Sequence, residues 1–327
     1  MRSHVLHSKV RAPVLTEFRL GYPPDGWAPQ RAPSMSLQEW DLPLGQLNVL
    51  HIPNLYLDPH DCALLFQEGR QLVECVICLD DFFSRSMEDL REQGIIDDDE
   101  PMAVLPMLRR LDITCRVMNL FPWCYLKMPH LEELSITGVA DYPQRIKEWR
   151  QSHFMAFCAR SQFHLNLETL RLRFDFSIYP SDIIDILGVC PLLHSLELRW
   201  THLHPDNRPP AEKIADLLHR MMPNPEFSML VPHLQSIALD GTVQSLEMLR
   251  SRRQSSSQLS KIVLYLQDDE SSVLNEGFGI RALQELGETG VSFERMDFYG
   301  AEDHRDEETV RLKNWFETEY QQYFDSL

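Results

Sequence analysis

The sequence predicts an α/β fold in which strand–helix units stack into a curved solenoid, a parallel sheet on the concave side and helices on the convex side. Three observations predict it. Short segments with large apolar residues at their first, fourth and sixth positions recur along the chain, the spacers between them alternate long and short, and several spacers carry helix periodicity. A unit of this kind cannot bury its apolar face alone, so neighbours must stack.

The segments run in order: "LTEFRL" from Leu15, "LNVLHI" from Leu47, "LVECVI" from Leu72, "LRRLDI" from Leu108 and "LEELSI" from Leu131. They continue with "LETLRL" from Leu167, "LHSLEL" from Leu193, "LQSIAL" from Leu234, "LSKIVL" from Leu259 and "FERMDF" from Phe293. Successive starts lie 32, 25, 36, 23, 36, 26, 41, 25 and 34 residues apart, so a double unit of about 60 residues is repeated. Positions 4 and 6 share a face because side chains alternate along a strand, and position 1 joins the same apolar layer from the preceding turn. L-x-x-L-x-L at such periods is the leucine-rich-repeat signature. The expected organisation is a lead-in over residues 1–14, about ten irregular repeats over 15–300, and a capping helix over 301–327 that carries Trp315, Phe316 and Tyr320.

The spacers agree with helices. "SDIIDILGVC" offers Ser181 as an N-cap, four apolar residues and Gly188 as a stop. In "PAEKIADLLHRMM", Ile214, Leu217, Leu218 and Met221 fall at i, i+3, i+4 and i+7. "QRIKEWRQSHFMAFCA" and "GIRALQELG" follow the same period. Pro106, Pro129, Pro191 and Pro232 each stand two residues before a position-1 leucine, where a strand's ladder needs no N–H. The acidic runs at Asp97–Glu100 and Asp268–Glu270 suit solvated loops, and "RSRRQSSSQ" from Arg250 suits a flexible surface turn in which arginines precede serines.

"ILGVCPLLHSLEL", with "MPHLEELSI" and "VPHLQSIAL" in the same mould, resembles the helix–Cys-Pro–strand step in the repeat region of the expanded fungal F-box families. That resemblance implies the substrate-receptor half of a ubiquitin ligase adaptor, with a protein substrate on the concave face and an F-box that holds the Skp/cullin scaffold. An F-box would show Leu-Pro-x-Glu and an amphipathic helix. The first repeat starts at Leu15 with no such box before it. Either the chain begins downstream of a box, or it works as a stand-alone interaction scaffold.

Composition narrows the partners. With 31 basic and 49 acidic side chains in 327 residues, the formal charge is −18, a field that repels nucleic acid and anionic membrane. No apolar run approaches the ~20 residues that span a bilayer, and the N-terminus has no signal-peptide h-region. Seven scattered cysteines suit reduced core thiols, hence a cytoplasmic or nuclear protein.

Two motifs invite chemistry. "WTHLHPDN" carries His202, His204 and Asp206 in the Thr-His-x-His-x-Asp order of a family of zinc hydrolases. Those enzymes add a second histidine where this chain has Asn207, and further ligands from a different fold, so the expectation is a rigid turn after a strand with no metal. "CVIC", Cys75 to Cys78, lacks a second cysteine pair and lies on a strand, where the two thiols diverge. No phosphate-cradling glycine loop or nucleophile elbow is present, so the chain is expected to be no enzyme and to need no cofactor. Function is expected on strand positions 3, 5 and 7, which include Arg110, Asp112 and Thr114 on one strand and Glu133, Ser135 and Thr137 on the next. Arg171, Arg173 and Arg199, with Tyr265 and Tyr299, are the candidate partner-binding residues, suited to an acidic or phosphorylated peptide. The alternative is a solvated face with cross-strand pairs such as Arg171 with Glu197.

Overall fold

A computed structural model of the chain describes residues 15–20, 37–40, 42–57, 59–79, 103–115, 123, 126–138, 151–173, 178–200, 211–223, 229–240, 243–254, 258–267 and 292–299. The lead-in, both acidic runs, the segment 279–287 and the C-terminal helix lie outside these residues. Within them the chain is an α/β structure built on a parallel sheet.

Every one of the ten apolar segments supplies one strand. They are β1 (Glu17–Arg19), β2 (Val49–Leu57), β3 (Glu74–Leu79), β5 (Arg110–Cys115) and β7 (Glu133–Gly138), then β8 (Thr169–Arg173), β9 (Ser195–Arg199), β10 (Ser236–Asp240), β11 (Lys261–Gln267) and β12 (Ser292–Tyr299). These ten form one sheet in chain order, all pairs parallel. From Leu47 to Leu264 every residue at positions 1, 4 and 6 is buried, none more than 1% exposed. Leu15, Phe18 and Leu20 of the first segment are partly buried against the same core.

A backbone device repeats at each step. The position-2 carbonyl of one strand accepts the N–H groups of positions 2 and 3 on the next, from Thr16 (bonded by Asn48 and Val49) through Gln235 (bonded by Ser260 and Lys261). Register is therefore set at the start of each strand, independent of spacer length.

Two strands depart from the pattern. Pro53 has no N–H for the ladder, and pairing of β2 with β3 jumps from Ile52↔Ile77 to Tyr56↔Cys78. At the far end a bulge between Ile262 and Val263 sets Arg295 opposite Val263, so "FERMDF" is slipped by two residues from the register of the other segments. A slip of two keeps each side chain on its face; a slip of one would turn the core outward.

The four prolines occupy a different place from the one expected. Each is the second residue of a β-turn: the carbonyls of Leu105, Met128, Cys190 and Val231 accept the N–H groups of Leu108, Leu131, Leu193 and Leu234 at 3.4, 3.2, 3.3 and 3.3 Å. Proline's fixed φ suits that turn position, and the turn delivers the position-1 leucine into the core.

Helices in the spacers are Pro59–Glu68, Gln151–Arg160, Phe163–Asn166, Pro180–Gly188, Ala211–Arg220 and Val243–Gln254. The last three pack side by side in chain order, and their buried residues share one core with the strands. Ser181 is not the N-cap of its helix. Tyr179 holds that place, and Pro180 at N1 uses its missing N–H where none is needed. The spacers before β5 and β7 contain short strands, β4 (Ala103–Val104) and β6 (Leu126–Lys127), which pair parallel in a sheet of their own. "RSRRQ" is no surface turn but the last turn of the helix Val243–Gln254, and Arg252 is 0% exposed.

Candidate functional site

Because positions 1, 4 and 6 point into the core, positions 3, 5 and 7 form the opposite face. On the described strands this face is polar and charged, and its ions are paired across strands. Arg19 meets Glu17 on its own strand and, at 3.9 Å, Glu74. Glu74 also receives His51 at 3.1 Å and Arg110 at 2.9 Å. Arg110 reaches on to Glu133 at 3.8 Å, Glu133 takes Arg171 at 3.6 Å, and Arg173 grips Glu197 through Nε and Nη2 at 2.7 and 3.0 Å. Cross-strand pairs form as expected, and Arg110 takes its direct register partners Glu74 and Glu133, but Arg171 and Arg173 pair diagonally. Arg171 stands opposite Glu197 on the ladder, yet each arginine takes the carboxylate two positions nearer the strand start on a neighbouring strand, Glu133 for Arg171 and Glu197 for Arg173. Diagonal neighbours on a sheet are within reach of long side chains.

Depth separates the two signs in the strongest pairs. Arg110 has a side chain 44% exposed over Glu74 at 21%, and Arg173 stands at 37% over Glu197 at 9%. The pair of Arg171 with Glu133 is reversed, the guanidinium at 31% and the carboxylate at 40%. At the centre, Asp112, Ser135 and Arg171 lie side by side in the position-5 row of β5, β7 and β8. Burial raises the Asp112 carboxyl above its ordinary value; the hydrogen bond from Ser135 and the charges of Arg173, Arg110 and Arg171 pull the other way. Asp112 is thus a carboxyl on which three guanidinium charges act.

The five candidate residues divide. Arg171 and Arg173 lie on the face as expected. Arg199, opposite Arg173 in register, is only 9% exposed, so the exposed cationic group is Arg110, Arg171 and Arg173. The type of residue carries no sign of that burial. Tyr265 and Tyr299 hold ladder positions opposite Asp240 and Gln267; their side chains lie outside the described residues.

His202, His204 and Asp206 also lie outside the described residues. Among those described, no group of three or more His, Cys, Asp or Glu side chains could hold a metal ion, and no helix is long and apolar enough to cross a membrane. Cys62, Cys75, Cys78, Cys158 and Cys190 are buried thiols that form no disulfide. Burial first, then the charges of Asp112 and Glu74, pushes the Cys75 thiol up to about 12, and burial alone takes Cys190 to about 12. Burial and the neighbouring Cys190 raise Cys158 as well. A thiol reacts as its thiolate, so alkylation of the native protein near neutral pH is expected to leave Cys75, Cys158 and Cys190 unmodified. Complete labelling should appear on unfolding, read site by site by mass spectrometry. Native labelling at any of the three would contradict their burial.

No protein-family model, curated protein or solved structure matches the chain.

Proposed function

We propose that this chain is a leucine-rich-repeat solenoid whose task is protein–protein recognition on the outward face of its sheet, with binding rather than catalysis as its chemistry. The observation that carries the reading is the uniform step between ten parallel strands in chain order. Crossovers between parallel neighbours are right-handed in nearly all proteins. Nine in succession with one hand favour helices on one side and an open sheet face on the other, which is the surface that solenoids offer to partners. The paired charges of that face support polar recognition of a protein surface.

The resemblance of the Cys-Pro–strand step to fungal F-box repeats makes this face the substrate-receiving half of a ubiquitin ligase adaptor, working in the cytoplasm or nucleus. A stand-alone scaffold with the same face is the second reading.

Affinity capture from cell extract tests both. The wild-type chain and a helix-side control, Lys213→Glu on the exposed flank of Ala211–Arg220, should recover the same proteins. Arg171→Glu with Arg173→Glu should lose the specific partners while retaining its circular dichroism. Recovery of the same set by all three would remove the face from consideration. A cullin-ligase adaptor that stays bound to the face variant supports the ligase reading, and a partner set without one supports the scaffold.

A further inference from the structure

We propose that Arg110, Arg171 and Arg173 form a docking site for an extended acidic segment of a protein partner, and that Asp112 is an internal competitor for the same guanidiniums. The proposal rests on the recognition reading above and specifies its partner.

Geometry and charge carry it. Arg110 lies on β5 and Arg171 and Arg173 on β8, and the strand between them contributes the small Ser135, itself 3% exposed. In the position-3 row β7 contributes Glu133, which lies between Arg110 at 3.8 Å and Arg171 at 3.6 Å and is paired with both. An approaching chain meets the guanidiniums of Arg110 and Arg173 before the more buried Glu74 and Glu197. At Arg110 and Arg173 the outermost groups are therefore cationic, whereas Arg171 at 31% lies below Glu133 at 40%. On a chain whose formal charge is −18, a carboxylate finds attraction at those two guanidiniums against a repulsive background. Arg171 and Arg173 stand two residues apart on one strand, a separation of roughly 6.5 Å along it. Aspartate or glutamate at alternate positions of an extended partner matches that spacing.

Each incoming carboxylate exchanges one ion pair for another, because the guanidiniums already face Glu133, Glu197 and the charge of Asp112. Asp112 follows Arg110 by two residues on the same face of β5 and shares the position-5 row with Arg171, and the charges of all three arginines act on it. Its negative charge both balances them and opposes the ligand. Removing that charge should strengthen acidic binding, whereas removing an ordinary structural residue would weaken it.

The test is fluorescence anisotropy of a labelled octaglutamate peptide with the full chain at low ionic strength. Wild type should bind, and Arg171→Ala with Arg173→Ala should lose the peptide. Asp112→Asn should bind about three- to tenfold more tightly, the range expected for deleting one unit charge several ångströms from the bound carboxylates. Asp112→Ser, which removes the charge through a smaller side chain, should tighten binding in the same direction and covers the case in which the asparagine variant folds poorly. Unchanged or weaker binding by folded Asp112 variants, with wild type still binding, overturns the competitor role and leaves face recognition standing. Absence of binding by wild type and Asp112 variants alike overturns the acidic partner.

Discussion

Replacing Arg252 by methionine should lower the stability of the chain by on the order of 3 kcal/mol. The guanidinium is completely buried near the end of the helix Val243–Gln254. Its Nη1 donates to the carbonyls of Met221 at 2.8 Å and Leu230 at 3.2 Å, and its Nη2 donates to the carbonyl of Val231 at 2.7 Å. Burial pulls the group down to about 10, so it remains a cation at neutral pH. The Val231 carbonyl keeps the Leu234 N–H; a carbonyl left without a donor costs about 1–3 kcal/mol, and relief from burying a cation offsets part of the total. A second effect is local. Val231 has φ of 46°, a left-handed conformation that a β-branched residue rarely adopts, and Arg252 holds its carbonyl. Without the guanidinium this turn should relax, and the Leu234 amide that bonds to Val231 should exchange faster with solvent. Urea titration should show a lower midpoint at unchanged slope; an unchanged midpoint would mean that water satisfies the three carbonyls. Arg252→Lys should fall between, since an ammonium lacks the planar fork that spans three acceptors.

That arginine also marks where sequence reasoning stops. The strand pattern is legible because it is written in the most buried residues: positions 1, 4 and 6 must be apolar for the sheet to bury them, and they are so in all ten segments. Spacers are legible only where they keep helix period, as around Leu217 and Leu218. Arg252 sits in a basic, serine-rich stretch that has the composition of a solvated turn, and nothing local signals that carbonyls from a preceding spacer converge on it. β4 and β6 are missed for a related reason. Two-residue strands have no period, and they form by pairing with each other across an intervening repeat strand.

The candidate site is legible to a similar depth. Period two assigns Arg110, Asp112, Glu133, Arg171 and Arg173 to one face, and the ladder puts them there. Register gives the partners of Arg110, Glu74 and Glu133, but not those of Arg171 and Arg173. Arginine has enough reach to select a diagonal carboxylate, and the depth of that carboxylate decides which pair is tight, so Arg173 rather than Arg171 takes Glu197. Burial of Arg199 is equally absent from the pattern: Arg173 holds the same position on the neighbouring strand and is 37% exposed.

The aromatic cluster behind β6 and β7 gives the other large expected effect. Phe157→Ala should cost about 3–5 kcal/mol. The ring is fully buried at the centre of four aromatics: its centroid lies 5.0 Å from Trp123, 6.0 Å from Phe154 and 5.0 Å from Phe163. Trp123 meets Phe154 edge-on at 5.0 Å, so the indole contacts the helix Gln151–Arg160 at two of its phenylalanines. From the same helix, Arg160 Nη2 donates to the Trp123 carbonyl at 2.6 Å and Nε to the Leu126 carbonyl at 3.4 Å. One spacer therefore anchors the preceding one by a packed ring and by a hydrogen-bonded cation acting on the same tryptophan. If Trp123 is the shared load, loss of either anchor frees it and the second loss adds less. Arg160→Ala combined with Phe157→Ala should then destabilise by measurably less than the two single effects together. Strict additivity would mean that the ring and the guanidinium act on independent parts of the fold, and that the spacers are coupled only through the sheet.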